Sequence, residues 1–140
     1  MPNTGDFRTP LNRPITDREA ALILWLLKHG EAGAERYIPQ IDRLVVVSKC
    51  TCGCPTIDLA LENEPVSHAG HGLISDHVAF VDGHCIGVML FANEKQLRML
   101  EGYSLAGTDK PFECPDIDAL FPWEELRNRP IPPRQDERDA

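Results

Sequence analysis

The hydrophobic period of this chain changes once, from helical to strand-like, within its first sixty residues, and that change narrows the fold more than any other feature. Thr16-Asp17-Arg18-Glu19 has the spacing of a capping box, in which Thr16 accepts from the backbone amide three residues on and Glu19 reaches back. Ala20-Ala21-Leu22-Ile23-Leu24-Trp25-Leu26-Leu27 follows, closed by Lys28, His29 and Gly30. Basic residues in a last turn followed by glycine form a helix stop. Apolar residues cover most of the circumference, so the helix packs on more than one side. Glu31 to Gln40 suggests a second short helix through Ala34, Tyr37 and Ile38, broken at Pro39. Then Leu44-Val45-Val46-Val47 is short and β-branched, as a buried strand is, and Ile57, Leu59 and Leu61 alternate with Thr56, Asp58 and Ala60.

Glu62 to Ser75, with Pro65, Gly70 and Gly72, reads as a flexible loop. Val78, Phe80 and Val81 lead into Asp82-Gly83, and Cys85 to Phe91 follows, which is a hairpin signal. Residues 94–103 have good helix propensity, yet Leu97, Met99 and Tyr103 fit a strand pairing with 85–91, and the strand is preferred. Asp116 suits the cap of a short turn through Ala119 and Leu120, and Phe121, Pro122 and Trp123 are expected to lie over the sheet. These segments predict a single α+β domain over 16–127, with one or two N-terminal helices packed on a four- to five-stranded antiparallel sheet of meander-like order. Pro2, Pro10 and Pro14 mark 1–15 as a flexible N-terminal arm, and Pro130, Pro132 and Pro133 mark 128–140 as a disordered tail. There is no internal repeat.

Charge is distributed unevenly. From Cys50 to Leu126 there are 3 basic residues against 13 acidic ones, a balance of −10, whereas the segments before and after it each come to +1. An acidic middle repels phosphate backbones, which argues against nucleic acid as a partner, and it suits a basic protein partner. No apolar run reaches the roughly 18–20 residues of a membrane span, and the first residues lack the apolar core of a secretory signal. Cytoplasmic location is the expectation.

Cys50-Thr51-Cys52-Gly53-Cys54 places three of the five cysteines in one pentapeptide between the two segments read as strands, where Gly53 and Pro55 suit a hairpin turn. An odd count, crowded in this way, is unlike a secreted disulfide framework. Thiolates are soft anionic ligands for zinc and similar ions, and structural zinc takes four of them in a tetrahedron. C-x-C-x-C lets two or three sulfurs converge if the turn is bulged. Cys85, Cys114, or His68 and His71 in the following loop are the candidates to complete a set with Cys50, Cys52 and Cys54. Dithiol chemistry through a strained Cys52–Cys54 ring is a further alternative, and plain buried turn residues a third. A Cys–His nucleophilic pair (Cys50 or Cys85 with His77 or His84) lacks any local signature, and His77 and His84 read as solvated strand-end residues. The phosphate-binding, dinucleotide, nucleophile-elbow and H-E-x-x-H patterns are absent, which argues against a familiar enzyme.

The stretch Val46 to Leu59, with Lys49 before C-x-C-G-C and then Pro55-Thr56-Ile57-Asp58, resembles a group of small uncharacterised bacterial proteins. Gly87 to Ala92, followed by Leu97 and Leu100-Glu101-Gly102-Tyr103, is similar to the same group's second hairpin. The resemblance implies a bacterial origin and a strand at 96–103, and it carries no activity. A non-catalytic module that binds a basic protein, in the manner of a toxin-neutralising immunity protein, is the first functional expectation. A zinc-binding module is the second and a thiol-redox protein the third.

Overall fold

The computed structural model describes residues 8–65, 72–105, 107 and 112–129. In chain order these form strand β1 (Arg8–Pro14), helix α1 (Asp17–Lys28), a 3-10 segment (Ala34–Arg43), and strands β2 (Leu44–Cys50), β3 (Ile57–Leu61), β4 (Gly72–Val81), β5 (His84–Ala92) and β6 (Leu97–Ser104). Two short 3-10 turns, Ile117–Ala119 and Trp123–Asn128, follow. The fold is α+β with an antiparallel sheet, as expected, but the sheet has six strands in the order β1-β2-β3-β6-β5-β4. Its last three strands are a meander. The first three are joined to it by β3 lying beside β6, so the simple meander expected for the whole sheet is corrected at that point.

Helix α1 begins as its sequence dictates. Glu19 N donates to Thr16 Oγ1 at 3.1 Å and Thr16 N donates to Glu19 Oε1 at 2.8 Å, a complete capping box. Arg13 adds a two-point ion pair with Glu19, at 2.9 and 3.0 Å, tying β1 to the helix start. Burial raises the energy of the Glu19 carboxylate, but Arg13 and the Thr16 amide outweigh it and hold the carboxyl below its ordinary range. Leu22, Ile23, Leu26 and Leu27 are buried and join Val46, Leu59, Val88, Leu90, Leu97 and Leu100 from the sheet in one core. Among the described residues no helix is long and apolar enough to cross a membrane.

Residues 8–14, read from the sequence as part of a loose arm, are instead strand β1, paired antiparallel with β2 through Arg8↔Cys50 and Pro14↔Val45. An edge strand bonds on one side only, so Pro10 and Pro14 are tolerated there, and the register shifts between Pro10 and Arg13. Residues 1–7 and 130–140 of the expected arm and tail lie outside the described residues. The second helix is present as 3-10 winding that runs through Pro39, held to the 93–97 turn by Gln40, whose Nε2 donates to Lys95 O at 2.8 Å and whose Oε1 accepts from Leu97 N at 3.0 Å. The stretch taken as a loop up to Ser75 becomes strand at Gly72. Asp82 and Gly83 turn the β4–β5 hairpin with φ of 48° and 78°, the paired positive angles of a type I′ turn. Residues 97–104 are strand. Asp116 occupies the cap position of Ile117–Ala119 without a side-chain cap bond, its carboxylate going to Arg18 at 3.0 Å instead. Phe121 lies along the free edge of β4, exchanging two backbone hydrogen bonds with Val78, while Trp123 Nε1 donates to Asp76 at 2.7 Å. That blunts an otherwise open edge.

His77 is not a solvated strand end. β4 is long enough to place it mid-strand, 6% exposed, with its ring edge-on to Trp25 (4.8 Å between centroids) and Trp25 stacked on His29 (4.0 Å). Burial, and then repulsion from His29, push the His77 pKa below its ordinary 6.5, against the weaker pull of Asp76 and Glu124. The folded chain therefore binds less proton than the unfolded chain at pH values just under 6.5.

Two outcomes are expected. Thr16→Ala lowers the unfolding free energy by about 1 kcal/mol in a urea titration, the ordinary effect of losing an N-cap side chain; no change would separate the cap from helix stability. Stability is full above pH 6.5 and falls as pH drops through that value toward the depressed folded-state pKa. His77→Phe flattens this slope when urea midpoints at about pH 7.5 and about pH 5.5 are compared. An unchanged slope assigns the acid sensitivity to another group.

Candidate metal centre

The thiol pentapeptide links β2 to β3, which pair antiparallel through Val46↔Leu59 and Lys49↔Ile57. The connection is closed by Cys50 N donating to Thr56 O at 3.1 Å. Had the chain stayed extended, side chains two residues apart would lie about 6.6 Å apart along it. It curls instead, with Gly53 at φ 95°, a left-handed conformation that a residue with a Cβ rarely adopts. The three sulfurs therefore converge, all within 4.8 Å of one another. Cys50 Sγ and Cys52 Sγ are 3.0 Å apart, and all five cysteines are free thiols.

Each sulfur has a distinct setting. Cys52 is exposed and accepts from the Cys54 backbone N–H at 3.4 Å. Cys54 is half-buried and points its Sγ at Thr56 Oγ1, also at 3.4 Å. Cys50 stands opposite Arg8 across the β1–β2 pair. The Arg8 guanidinium is held by Asp58 at 3.3 Å, and Asp58 accepts from Ser48 Oγ. Thr56 anchors the far side of the turn: buried, it donates to Gly102 O at 3.2 Å and accepts from Gly102 N at 3.3 Å. Pro55 rests against the same glycine, so close that a Cβ there would stand 2.6 Å from Pro55 Cγ.

The other candidate ligands fare differently. His68 and His71 lie outside the described residues. Cys85 and Cys114 are not part of the group that gathers at the turn. Burial pushes the Cys85 thiol up, and Cys114 up to about 12 despite the nearby Arg18 guanidinium, so both stay protonated near neutral pH. Cys114 lines a cleft of about 220 Å³ with Thr16, Arg18, Leu22, Pro55 and Leu100, where its role is packing. Of the Cys–His pairings written from the sequence, those with His77 meet a ring whose Nδ1 faces Ser75 Oγ at 3.4 Å. Of the supporting residues, Asp58 stands within the quoted motif, whereas Arg8 and Gly102 are remote from it in sequence and have no signal beside the cysteines. Thr56, two residues after the last cysteine, had one, since a hydroxyl at that spacing reaches back to the sulfur.

Chemically, the turn offers three soft donors, Cys52 exposed and Cys50 and Cys54 half-buried. A zinc–sulfur bond of about 2.3 Å sets sulfurs about 3.8 Å apart along a tetrahedron's edge, so shifts of roughly an ångström bring this set to one triangular face. Comparison with protein-family models, with curated proteins and with solved structures finds no match to the chain.

Proposed function

We propose that this protein is a metal-binding module in which Cys50, Cys52 and Cys54 hold a thiophilic ion, zinc in the first instance. The observation that carries the reading is the convergence of three sulfurs within 4.8 Å on a turn, Cys50 to Thr56, closed by its own backbone. Convergence of anionic donors is unfavourable unless a cation or protons neutralise them, and soft thiolates select soft or borderline ions. The exposure of Cys52 leaves the set open at that sulfur to a fourth ligand from solvent or from elsewhere in the chain. His68 and His71 are the proposed protein donors for that position.

The site sits at the end of strands β2 and β3, outside a core already closed by α1, which sets what the metal does to stability. The chain folds without it, and binding adds to stability by mass action. At a free zinc concentration one hundred times the dissociation constant, the gain is about 2.7 kcal/mol.

A second reading, a non-catalytic module docking a basic protein, is favoured by the charge balance of −10 between Cys50 and Leu126. Such a partner associates more slowly as salt shortens the screening length.

The metal reading is tested on reduced, metal-free protein titrated with cobalt(II) and zinc. About one equivalent binds per chain, with the thiolate-to-cobalt absorption of a sulfur-rich site and a rise in Tm. Cys52→Ser loses both the absorption and the rise while its metal-free stability stays within about 0.5 kcal/mol of the parent, as for a surface substitution. Cys85→Ser keeps both. Binding below about a tenth of an equivalent would sink the proposal.

A further inference from the structure

We infer that Cys50 and Cys52 are an exchangeable dithiol, and that closing it to a disulfide and binding a metal at the same turn exclude one another. The exclusion rests on the metal reading above; the choice of pair does not. The two sulfurs are 3.0 Å apart, closer than the roughly 3.8 Å that a shared tetrahedral zinc sets, while Cys54 directs its sulfur to Thr56 Oγ1. The ring suggested by sequence alone, Cys52–Cys54, is therefore replaced by Cys50–Cys52. Cys52 is the exposed member of the pair and the one a small molecule reaches first. The Cys54 N–H at 3.4 Å fixes where its sulfur points. Cys50 follows within bonding approach.

The oxidant class is a small symmetric disulfide. Cys52, as thiolate, attacks one sulfur of that molecule, breaks its S–S bond and releases one half as a thiolate, leaving a mixed disulfide on Cys52. Cys50 gives up its proton to solvent and attacks Cys52 Sγ, forming the intramolecular bond and releasing the second half. The released thiolates take up two protons. In sum, the protein dithiol loses two hydrogens and the small disulfide becomes two thiols. The product needs the sulfurs to close from 3.0 Å to about 2.05 Å. A disulfide sulfur is no longer an anionic ligand, so the oxidised turn retains Cys54 alone, and a bound ion in turn withholds the nucleophile.

Oxidised glutathione is the probe, added to the reduced, metal-free, full-length protein, with intact mass and disulfide mapping as readouts. The parent and Cys54→Ser both lose two hydrogens and yield a Cys50–Cys52 linked peptide. Cys50→Ser instead retains a glutathione adduct on Cys52, and a reducing thiol reverses every product. Closure in Cys50→Ser, failure to close in Cys54→Ser, or an inert parent would each overturn the pair. For the exclusion, zinc at ten times its dissociation constant slows closure about tenfold, in proportion to the fraction of sites left free. An unchanged rate with zinc demonstrably bound overturns the exclusion. If no zinc binds, the metal reading and the exclusion fall together, while the metal-free experiment still decides the pair.

Discussion

The two halves of the sheet meet along one short seam between β3 and β6, and everything placed near the thiol turn depends on it. The backbone register there runs through Ile57↔Leu100 and Asp58↔Met99. Side chains lengthen the join at both ends. At one, Thr56 Oγ1 bridges the amide and carbonyl of Gly102; at the other, the Arg98 guanidinium donates to Leu59 O at 3.1 Å. Each buried backbone group so satisfied avoids the free-energy penalty of an unmade hydrogen bond. With the seam fixed, Leu59, Leu97 and Leu100 face α1 together, and the Cys50–Pro55 turn is pinned against Gly102 through Pro55.

How much of this was legible depends on whether the cause was local. The capping box at Thr16 and Glu19, the Asp82-Gly83 turn and the alternation in 57–61 are set by residues within a few positions of one another, and each was readable. The seam is not local: nothing in 57–58 announces 99–100 as its neighbour, so a meander was the natural expectation and β3–β6 adjacency was not. β1 was missed for a different reason. Its prolines argue against a central strand, yet at an edge a missing N–H faces away from the sheet, and only the tertiary position of Arg8–Pro14 shows that it is an edge. Sequence puts His77 at a strand end because the apolar run starts only at Val78; β4 begins at Gly72, which places the residue mid-strand, against Trp25.

For the site, composition identified the donors but not their geometry. Three cysteines at alternate positions on an extended chain would present a row, and the left-handed φ at Gly53 turns that row into a cluster. Spacing in the sequence sets Cys50, Cys52 and Cys54 apart and leaves Cys85 and Cys114 as candidates to join them. Position separates the two groups: Cys50, Cys52 and Cys54 gather at one turn with Cys52 exposed, while Cys85 and Cys114 stand apart from it, their thiols pushed up by burial. A thiol pushed up by burial makes a poor ligand or nucleophile because its charged form is disfavoured.

The place of the thiol turn relative to the core bears on what a metal bound there would do. In the smallest zinc modules the ion replaces a core the chain is too short to build, and removing it unfolds the protein. Here α1 and the sheet bury Ile23, Leu26, Leu59, Leu90 and Leu100 without help from the thiols, in a chain of 140 residues. The core is therefore built apart from the thiol turn. What passes from the turn to the rest of the molecule goes through Pro55 and Thr56 into Gly102, the same contacts that hold β3 against β6. Those contacts tie the seam to the thiol turn, and its two backbone pairs are supplemented by side chains at either end.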